Sequence, residues 1–317
     1  MIELFKVQNT SNLKQMTIGT STDCDLLIDP NFGVDWGLVD AFHNTYSYPG
    51  QTGMTISSTG LNPRVVTVSG YVYYIISKLE KESMTYQDRL KYVNKKIFDK
   101  KRLLSDIIDP MEYVRIIIGD YFLEGKPYAS VKFGQSENEN NAYFCRFQFM
   151  LYCANPMFQK VSDVQTILSG SIPKFHFPLV FPKKKGILMG VRQRYQLVPV
   201  ENVGDVTIGG IITLEAKGTV SNPRIENVLT GEFLKIDKTL HEGEKVIINT
   251  TDGPDKGVVG YINEEYIEYL EYWDWEGTWM KFNQGISLIG YSVDSGNAQL
   301  LSIKVDLNPA FYNLEEM

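Results

Sequence analysis

Short apolar runs separated by turn residues between positions 200 and 249 constrain the fold of this chain more than any other feature. Gly, Asn, Asp and Pro supply a positive φ, a preset φ or local side-chain hydrogen bonds, and chains reverse at such residues. The runs between them, such as 211–216 and 245–248, have the composition of strands. Their regular spacing predicts a ladder of antiparallel strands, as in a sandwich or barrel. The turn groups are Gly204-Asp205, Gly209-Gly210, Ser221-Asn222-Pro223, Thr230-Gly231 and Glu242-Gly243.

Length and charge limit the class of protein. At 317 residues the chain exceeds what one core usually serves, so we predict two domains. Its 43% hydrophobic and 22% charged residues are typical of folded globular proteins. The net charge of -7, with no basic tail, argues against a general nucleic-acid binder, because such a protein needs a basic surface to displace counterions from phosphates.

The cysteines and the N-terminus predict synthesis in the cytoplasm. Cys24, Cys145 and Cys153 form no CxxC pair, and we interpret them as small buried apolar residues in a reducing compartment. The start of the chain lacks the basic and apolar regions of a signal peptide, and no window approaches the roughly 20 apolar residues that span a bilayer. We therefore expect no membrane insertion.

One helix is predicted within an otherwise β-rich first half. Thr85 is a candidate N-cap with Asp88 three residues later, and apolar residues then recur at helical spacing. The stripe consists of Tyr86, Leu90, Val93 and Ile97, and the opposite face carries Lys91, Lys95 and Lys96.

The rest of the first half predicts strands. The first sixty residues read as strands joined by long loops, and 64–76 predicts a central strand with a bulge or kink at Gly70. The polar segment 136–141 predicts a hairpin tip. Other predicted features are strands at 113–119, 121–134 and 143–151, and turns at 119–120 and 124–127.

These patterns predict a mainly β protein of two domains. The first, 1–160, is predicted to be β-sandwich-like with one inserted helix and a β-hairpin arm. A proline-rich linker follows at 161–199, and its apolar part, 175–182, is expected to lie extended against the domains. The second domain is predicted at 200–317.

Several phrases resemble siphophage distal tail proteins. N-x-G-D at 202–205, N-P-x-I-x-N at 222–227, L-T-G-E at 229–232 and L-x-x-G-E at 240–244 resemble their C-terminal domain. F-x-F-x-L-x-x-x-x-P at 147–156 resembles the close of their N-terminal domain. The chain departs from the family at 282–287, which reads FNQGIS in place of a Pro-Gly-x-Asn turn, and the first sixty residues match loosely.

The resemblance implies a structural protein of the virion at the tip, or baseplate, of a phage or prophage tail. It implies a homohexameric ring built by N-terminal domains around a DNA channel, with galectin-like C-terminal β-sandwich domains facing outward. The implied partners are the tail tube protein, the tail-associated fibre or lysin hub protein and receptor-binding proteins. Contacts between copies are expected from hairpin arms such as 119–141, paired by β-augmentation. DNA would pass without sequence-specific contacts.

No catalytic, cofactor-binding or metal-binding residues are predicted. The histidines, His43, His176 and His241, stand far apart and form no metal motif. Asp23, Asp25 and Asp29 alternate but lack the Gly and distal Glu of a calcium loop, so we interpret them as turn residues. The basic run 183–185 is interpreted as a solvated surface. Nothing in the sequence proposes an acid and base pair, so we predict that the chain is not an enzyme and needs no cofactor.

A rival hypothesis is a carbohydrate-binding module that recognises host cell-wall glycans. Tyr and Trp crowd the segment 261–282 among acidic residues, and such surfaces suit sugar stacking or a protein interface. A sandwich core with acidic loops explains the same pattern and is slightly favoured. The aromatic residues are Tyr261, Tyr266, Tyr269, Tyr272, Trp273, Trp275 and Trp279.

Overall fold

The computed structural model describes residues 4–76, 84–141, 143–161, 164–169, 171–173, 190–192 and 197–314. Its contacts divide the chain into two compact units, 1–161 with 311–317, and 162–310. Strands dominate both units, and one long helix lies in the first, as the sequence predicts. The domain limits 1–160 and 200–317 stay a prediction. Segment 164–169 of the predicted linker is a strand of the second unit, whereas 175–182 and 183–185 lie outside the described residues.

Within the described residues, the first unit has twelve strands and one long helix. They are β1 (Leu4–Asn9), β2 (Gln15–Gly19), β3 (Leu26–Ile28), β4 (Val34–Asp35), β5 (Ala41–Tyr46), β6 (Thr55–Leu61), β7 (Arg64–Tyr73), α1 (Tyr86–Ile107), β8 (Val114–Ile118), β9 (Tyr121–Pro127), β10 (Lys132–Phe133), β11 (Phe144–Cys153) and β12 (Phe158–Lys160).

Seven of these strands close on themselves into a barrel. The pairing runs from β11 through β7, β3, β2, β1, β8 and β9, and β9 pairs again with β11. Gly125 allows this closure, because a Cβ there would lie 2.7 Å from the sulfur of Cys153 and 2.8 Å from the carbonyl oxygen of Tyr152. The predicted turn at 124–127 is therefore wrong. The glycine serves the close approach of two strands, and β9 continues through it to Pro127.

A similar close approach explains Gly70 in β7. A Cβ at this position would lie 2.2 Å from the carbonyl oxygen of Leu27 and 2.8 Å from the ring of Phe147. The register between β7 and β11 runs unbroken through the pair Gly70 and Phe147. The predicted bulge is absent here, since the glycine makes room for neighbours and the strand stays regular.

Helix α1 begins as predicted. The Thr85 side chain accepts a hydrogen bond from the backbone N–H of Asp88, which caps the first turn. Val93, Ile97, Leu104 and Ile107 are buried in the same core as the barrel strands. The helix therefore buries one apolar stripe against the barrel.

The second unit is a β-sandwich around its own core. One sheet has the order β13-β27-β17-β22-β23-β24 and the other β16-β25-β19-β20, with a small third sheet β21-β18-β26. Its strands, with the last strand of the chain, are β13 (Val164–Ser169), β14 (Ser171–Pro173), β15 (Gly190–Arg192), β16 (Leu197–Asn202), β17 (Gly210–Ala216), β18 (Val220–Ser221), β19 (Arg224–Asn227), β20 (Phe233–Lys235), β21 (Thr239–Leu240), β22 (Lys245–Asn249), β23 (Gly257–Ile262), β24 (Glu265–Glu268), β25 (Gly285–Ser292), β26 (Ser295–Gly296), β27 (Leu301–Leu307) and β28 (Ala310–Phe311).

The turn-punctuated segment forms strands β17 to β22, as predicted. Asn222, Gly231 and Gly243 adopt positive φ between successive strands, which is why these residues mark reversals. Gly209 differs from them. A Cβ there would lie 2.3 Å from the carbonyl oxygen of Thr250, so this glycine permits close packing instead of a turn.

Candidate assembly interface

Strands β5 and β6 form a separate two-stranded hairpin, and none of its residues belongs to the core formed by the described residues. They pair antiparallel from Ala41 with Leu61 to Tyr46 with Thr55, with an irregularity after Asn44. Every side chain in the two strands is exposed, and Gly60 alone is half-buried. A two-stranded hairpin is marginally stable by itself in water. This element therefore has the properties of a segment completed by a partner.

The hairpin is ordered by bonds between its own side chains. His43 Nδ1 lies 2.9 Å from Thr59 Oγ1, and the Asn44 amide donates to Ser58 Oγ at 2.8 Å. Phe42 lies across the strand over Gly60, where a Cβ would approach its ring to 2.4 Å. These contacts hold the two strands in register, which lowers the entropy that a partner must remove on binding.

The composition of the hairpin differs from that of the rest of the chain. No Asp, Glu, Lys or Arg occurs from 41 to 61, whereas 22% of the whole chain is charged. Exposed edge strands are usually protected from pairing by charged residues, especially Lys. Within the described residues, β5 pairs only with β6 and β6 only with β5. A neutral hairpin with two open edges is suited to binding by added strands or apolar contact.

The structure does not support a projecting arm at 119–141. Strand β9 pairs with β8 on one side and with β11 and β12 on the other, and β10 pairs with β11. The predicted tip at 136–141 is a tight turn, and Arg146 holds it by an ion pair to Glu139 at 3.4 Å. The hairpin whose side chains are exposed is the one at 41–61, formed by β5 and β6.

Most of the aromatic segment belongs to the core of the second unit. Tyr269 and Trp273 are buried, at 1% and 3% exposure. Trp279 stacks on Trp273 with ring centroids 4.4 Å apart, and Lys256 lies over its ring. These residues are therefore not free for a sugar, as the core interpretation predicts.

Two rings of the segment are open to solvent. Trp275 is 74% exposed in a turn held by Asp274, whose carboxylate accepts from the backbone N–H of Glu276. Tyr266 is exposed on strand β24 and donates its hydroxyl to Glu268. Of the aromatic side chains at 261–282, Trp275 and Tyr266 are therefore the ones exposed enough to stack on a sugar.

Lys238 connects the buried aromatics to a carboxylate. Its Nζ lies 2.6 Å from the Tyr269 hydroxyl and 3.2 Å from Glu244 Oε2, and Glu244 is 8% exposed. Burial lowers the pKa of Lys238, but the hydrogen bonds to Tyr269 and Glu244 and the charge of Glu244 outweigh it. The pKa is therefore raised overall, and the pair is structural.

Asp23, Asp25 and Asp29, the alternating aspartates of the sequence, accept hydrogen bonds within the protein. Asp25 accepts from the N–H and hydroxyl of Thr17, and buried Asp29 accepts from the N–H of Asn31 and pairs with Arg146. Asp23 accepts from the Ser21 hydroxyl. No cluster of three metal-ligating side chains occurs within the described part of the chain. His43 lies on the hairpin, His241 in a turn of the second unit, and His176 outside the described residues.

Cys145 and Cys153 are buried in β11, and Cys24 is half-buried. Burial raises the pKa of the Cys153 thiol to about 12, although the charge of Arg64 opposes this shift. A thiol with so high a pKa is a poor nucleophile at neutral pH.

In the described segments, no helix is long and apolar enough to cross a membrane.

Comparisons with known proteins find similarity to phage tail components. Residues 203–305 match the family described as siphovirus-type tail component, C-terminal domain. The whole chain is similar to the crystal structure of the phage SPP1 Dit (gp 19.1) protein, described as a paradigm of the hub adsorption apparatus in phages that infect Gram-positive hosts. The TM-score is 0.56 at 12% identity, covering 96% of this chain and 98% of that one. This likeness shows a shared fold.

A second solved structure is the phage P2 baseplate in its activated conformation with Ca. It matches with a TM-score of 0.40 at 12% identity, over 96% of this chain and 98% of that one. A score of this size does not establish a shared fold. A comparison with curated sequences gives no match. The family match and the fold together confirm the resemblance that the sequence phrases indicate.

Proposed function

We propose, from the premise that the chain is a siphophage distal tail protein, that copies of it assemble into a homohexameric ring at the tail tip. The ring joins the tail tube above to the fibre or lysin hub below and offers its periphery to receptor-binding proteins. DNA passes through the central channel without base-specific contacts. The protein is made in the host cytoplasm and acts in the virion, in assembly and not in catalysis.

The exposed hairpin β5–β6 is the observation that carries this proposal. Its edges are open among the described strands, it has no Asp, Glu, Lys or Arg, and the described residues of its own unit leave its side chains exposed. A head-to-tail ring needs heterologous contacts, in which one surface meets a different surface on the next copy. A neutral hairpin supplies one such surface at a low desolvation cost.

The first experiment measures the mass of the purified chain by light scattering after size exclusion, followed by negative-stain imaging. We expect rings with an open centre. Ile56→Lys should abolish them, because a buried unpaired charge on the hairpin is costly at an interface. The matched control is Ile286→Lys on β25 of the second unit, since the two isoleucines are 56% and 63% exposed.

The control should form rings like the unchanged protein. Rings in the Ile56→Lys protein would remove the hairpin from the assembly interface. A protein that stays monomeric at high concentration would contradict assembly of the ring by this chain alone.

Exposed Trp275 favours glycan binding as a second candidate function. The turn that holds it leaves its ring free, and aromatic rings of this kind stack on sugars. A glycan array with the unchanged protein and Trp275→Ala tests it. Binding that is lost in the variant would support a sugar site, and silence on the array would remove this candidate.

A further inference from the structure

An apolar groove opens on the first unit beside Leu27 and Tyr71. Two neighbouring pockets of about 800 and about 470 Å³ share these two side chains, and we treat them together as one groove. Volumes of this size accommodate several large side chains. Trp36 and Phe32 line one end, and Ile75, Tyr143 and Phe144 line the other. We call this the Leu27–Tyr71 groove.

The described lining of the groove is almost free of charged side chains. Among the described residues of its lining, Asp29 is the one charged residue, and it pairs with Arg146, whose Nη2 lies 3.2 Å from its carboxylate. The Arg146 guanidinium also lies over the ring of exposed Phe32, 4.9 Å from its centre. A ligand for this groove is therefore uncharged and largely apolar.

The end of the hairpin has this chemistry. Tyr46 and Tyr48 meet edge to face with centroids 5.3 Å apart, and the Thr45 hydroxyl donates to the sulfur of Met54 beside them. We call Tyr46, Tyr48 and Met54 the tip cluster. All three are exposed, so the tip cluster does not fill the groove of its own copy. Tyr side chains in particular anchor protein interfaces.

We propose that the tip cluster of one copy inserts into the Leu27–Tyr71 groove of the next copy in the ring. This inference rests on the proposed ring. Each copy carries one tip and one groove of different shape, which is the heterologous arrangement that a closed ring requires. A six-residue strand spans about 20 Å, so the hairpin extends well beyond its base. Both surfaces lose water on insertion without burying an unpaired charge.

Cysteine cross-linking tests the contact while keeping every apolar anchor. In a Cys24→Ser background, Ser47→Cys beside the tip cluster is combined with Asn31→Cys at one end of the groove, or with Asn138→Cys at the other. All three positions are exposed. After imaging, the rings are oxidised and run on a denaturing gel. We expect a ladder of covalent oligomers with at least one of the two pairs.

The controls are each single cysteine and the pair Ser47→Cys with Met111→Cys, since Met111 is exposed but lines neither pocket. We expect no ladder from any of them. Rings without a ladder from either groove pair would overturn the groove contact while leaving the ring intact. Dimers from Ser47→Cys alone would show that tips meet tips and would also overturn it. Absence of rings before oxidation would overturn both the ring and the contact.

Discussion

Two tryptophans two positions apart have opposite roles in the second unit. Trp273 is buried and stacked on Trp279, whereas Trp275 lies in solvent. We expect Trp273→Ala to lower the free energy of unfolding by about 3–5 kcal/mol, as truncation of a buried Trp does. Trp275→Ala should change it by less than about 0.5 kcal/mol. Urea denaturation followed by circular dichroism measures both. Equal losses in the two variants would contradict the core assignment.

The Lys238 pair gives the second unit a pH dependence. Lys238→Met leaves Glu244 buried without its partner, and we expect a loss of roughly 3 kcal/mol at pH 9. Because the pKa of Lys238 is raised in the folded state, its contribution is complete below the ordinary lysine pKa of about 10.4. The contribution is lost as the pH rises through the folded pKa.

The difference in unfolding free energy between the unchanged protein and Lys238→Met should therefore narrow from pH 9 to pH 11. Urea denaturation followed by Trp fluorescence measures it, since three of the four tryptophans lie in this unit. Lys217→Met is the matched control, because Lys217 pairs with Glu215 at an exposed site. Its loss should stay below about 1 kcal/mol. A constant difference for Lys238→Met across this pH range would contradict the assignment.

At the level of single elements, the sequence predicts what local chemistry determines. The cap at Thr85 and the spacing of Val93 and Ile97 identify α1, because capping and periodicity act within a few residues. The turns at Gly231 and Gly243 are equally local. The same local rules predict a turn at Gly125 and a bulge at Gly70. In the structure, each glycine instead makes room for a strand that is distant in the sequence. Close approach between strands is a tertiary property that no local pattern contains.

The candidate interface is likewise only partly visible in the sequence. The aromatic residues at 261–282 are easily found, but which of them are buried depends on strand packing across the second unit. The sequence patterns favour 119–141 as the arm, whereas the structure exposes the hairpin at 41–61. Its signal is a run of 21 residues without Asp, Glu, Lys or Arg, interrupted by Pro49-Gly50 and Gly53. Absence of charge on an exposed strand, and not the presence of a motif, marks this surface.

At the level of the whole molecule, the distribution of charge predicts how assembly responds to salt. Each copy carries a net charge of -7, so copies repel one another, while the hairpin has no Asp, Glu, Lys or Arg and the described lining of the groove has one charged residue, the ion-paired Asp29. Raising the ionic strength from about 0.1 M to about 1 M shortens the Debye length from about 10 Å to about 3 Å. Salt thus screens the repulsion and leaves the apolar contact in place.

We therefore expect the fraction of chains in rings to stay constant or rise over this range of NaCl, measured by light scattering after size exclusion. Helix α1 offers the contrasting case, since it has seven Lys and Arg residues against three Asp. If its basic face met an acidic surface of the next copy, rings would dissociate as salt rises. Dissociation at high salt would move the interface from the hairpin to this helix, and Ile56→Lys would then leave the rings intact.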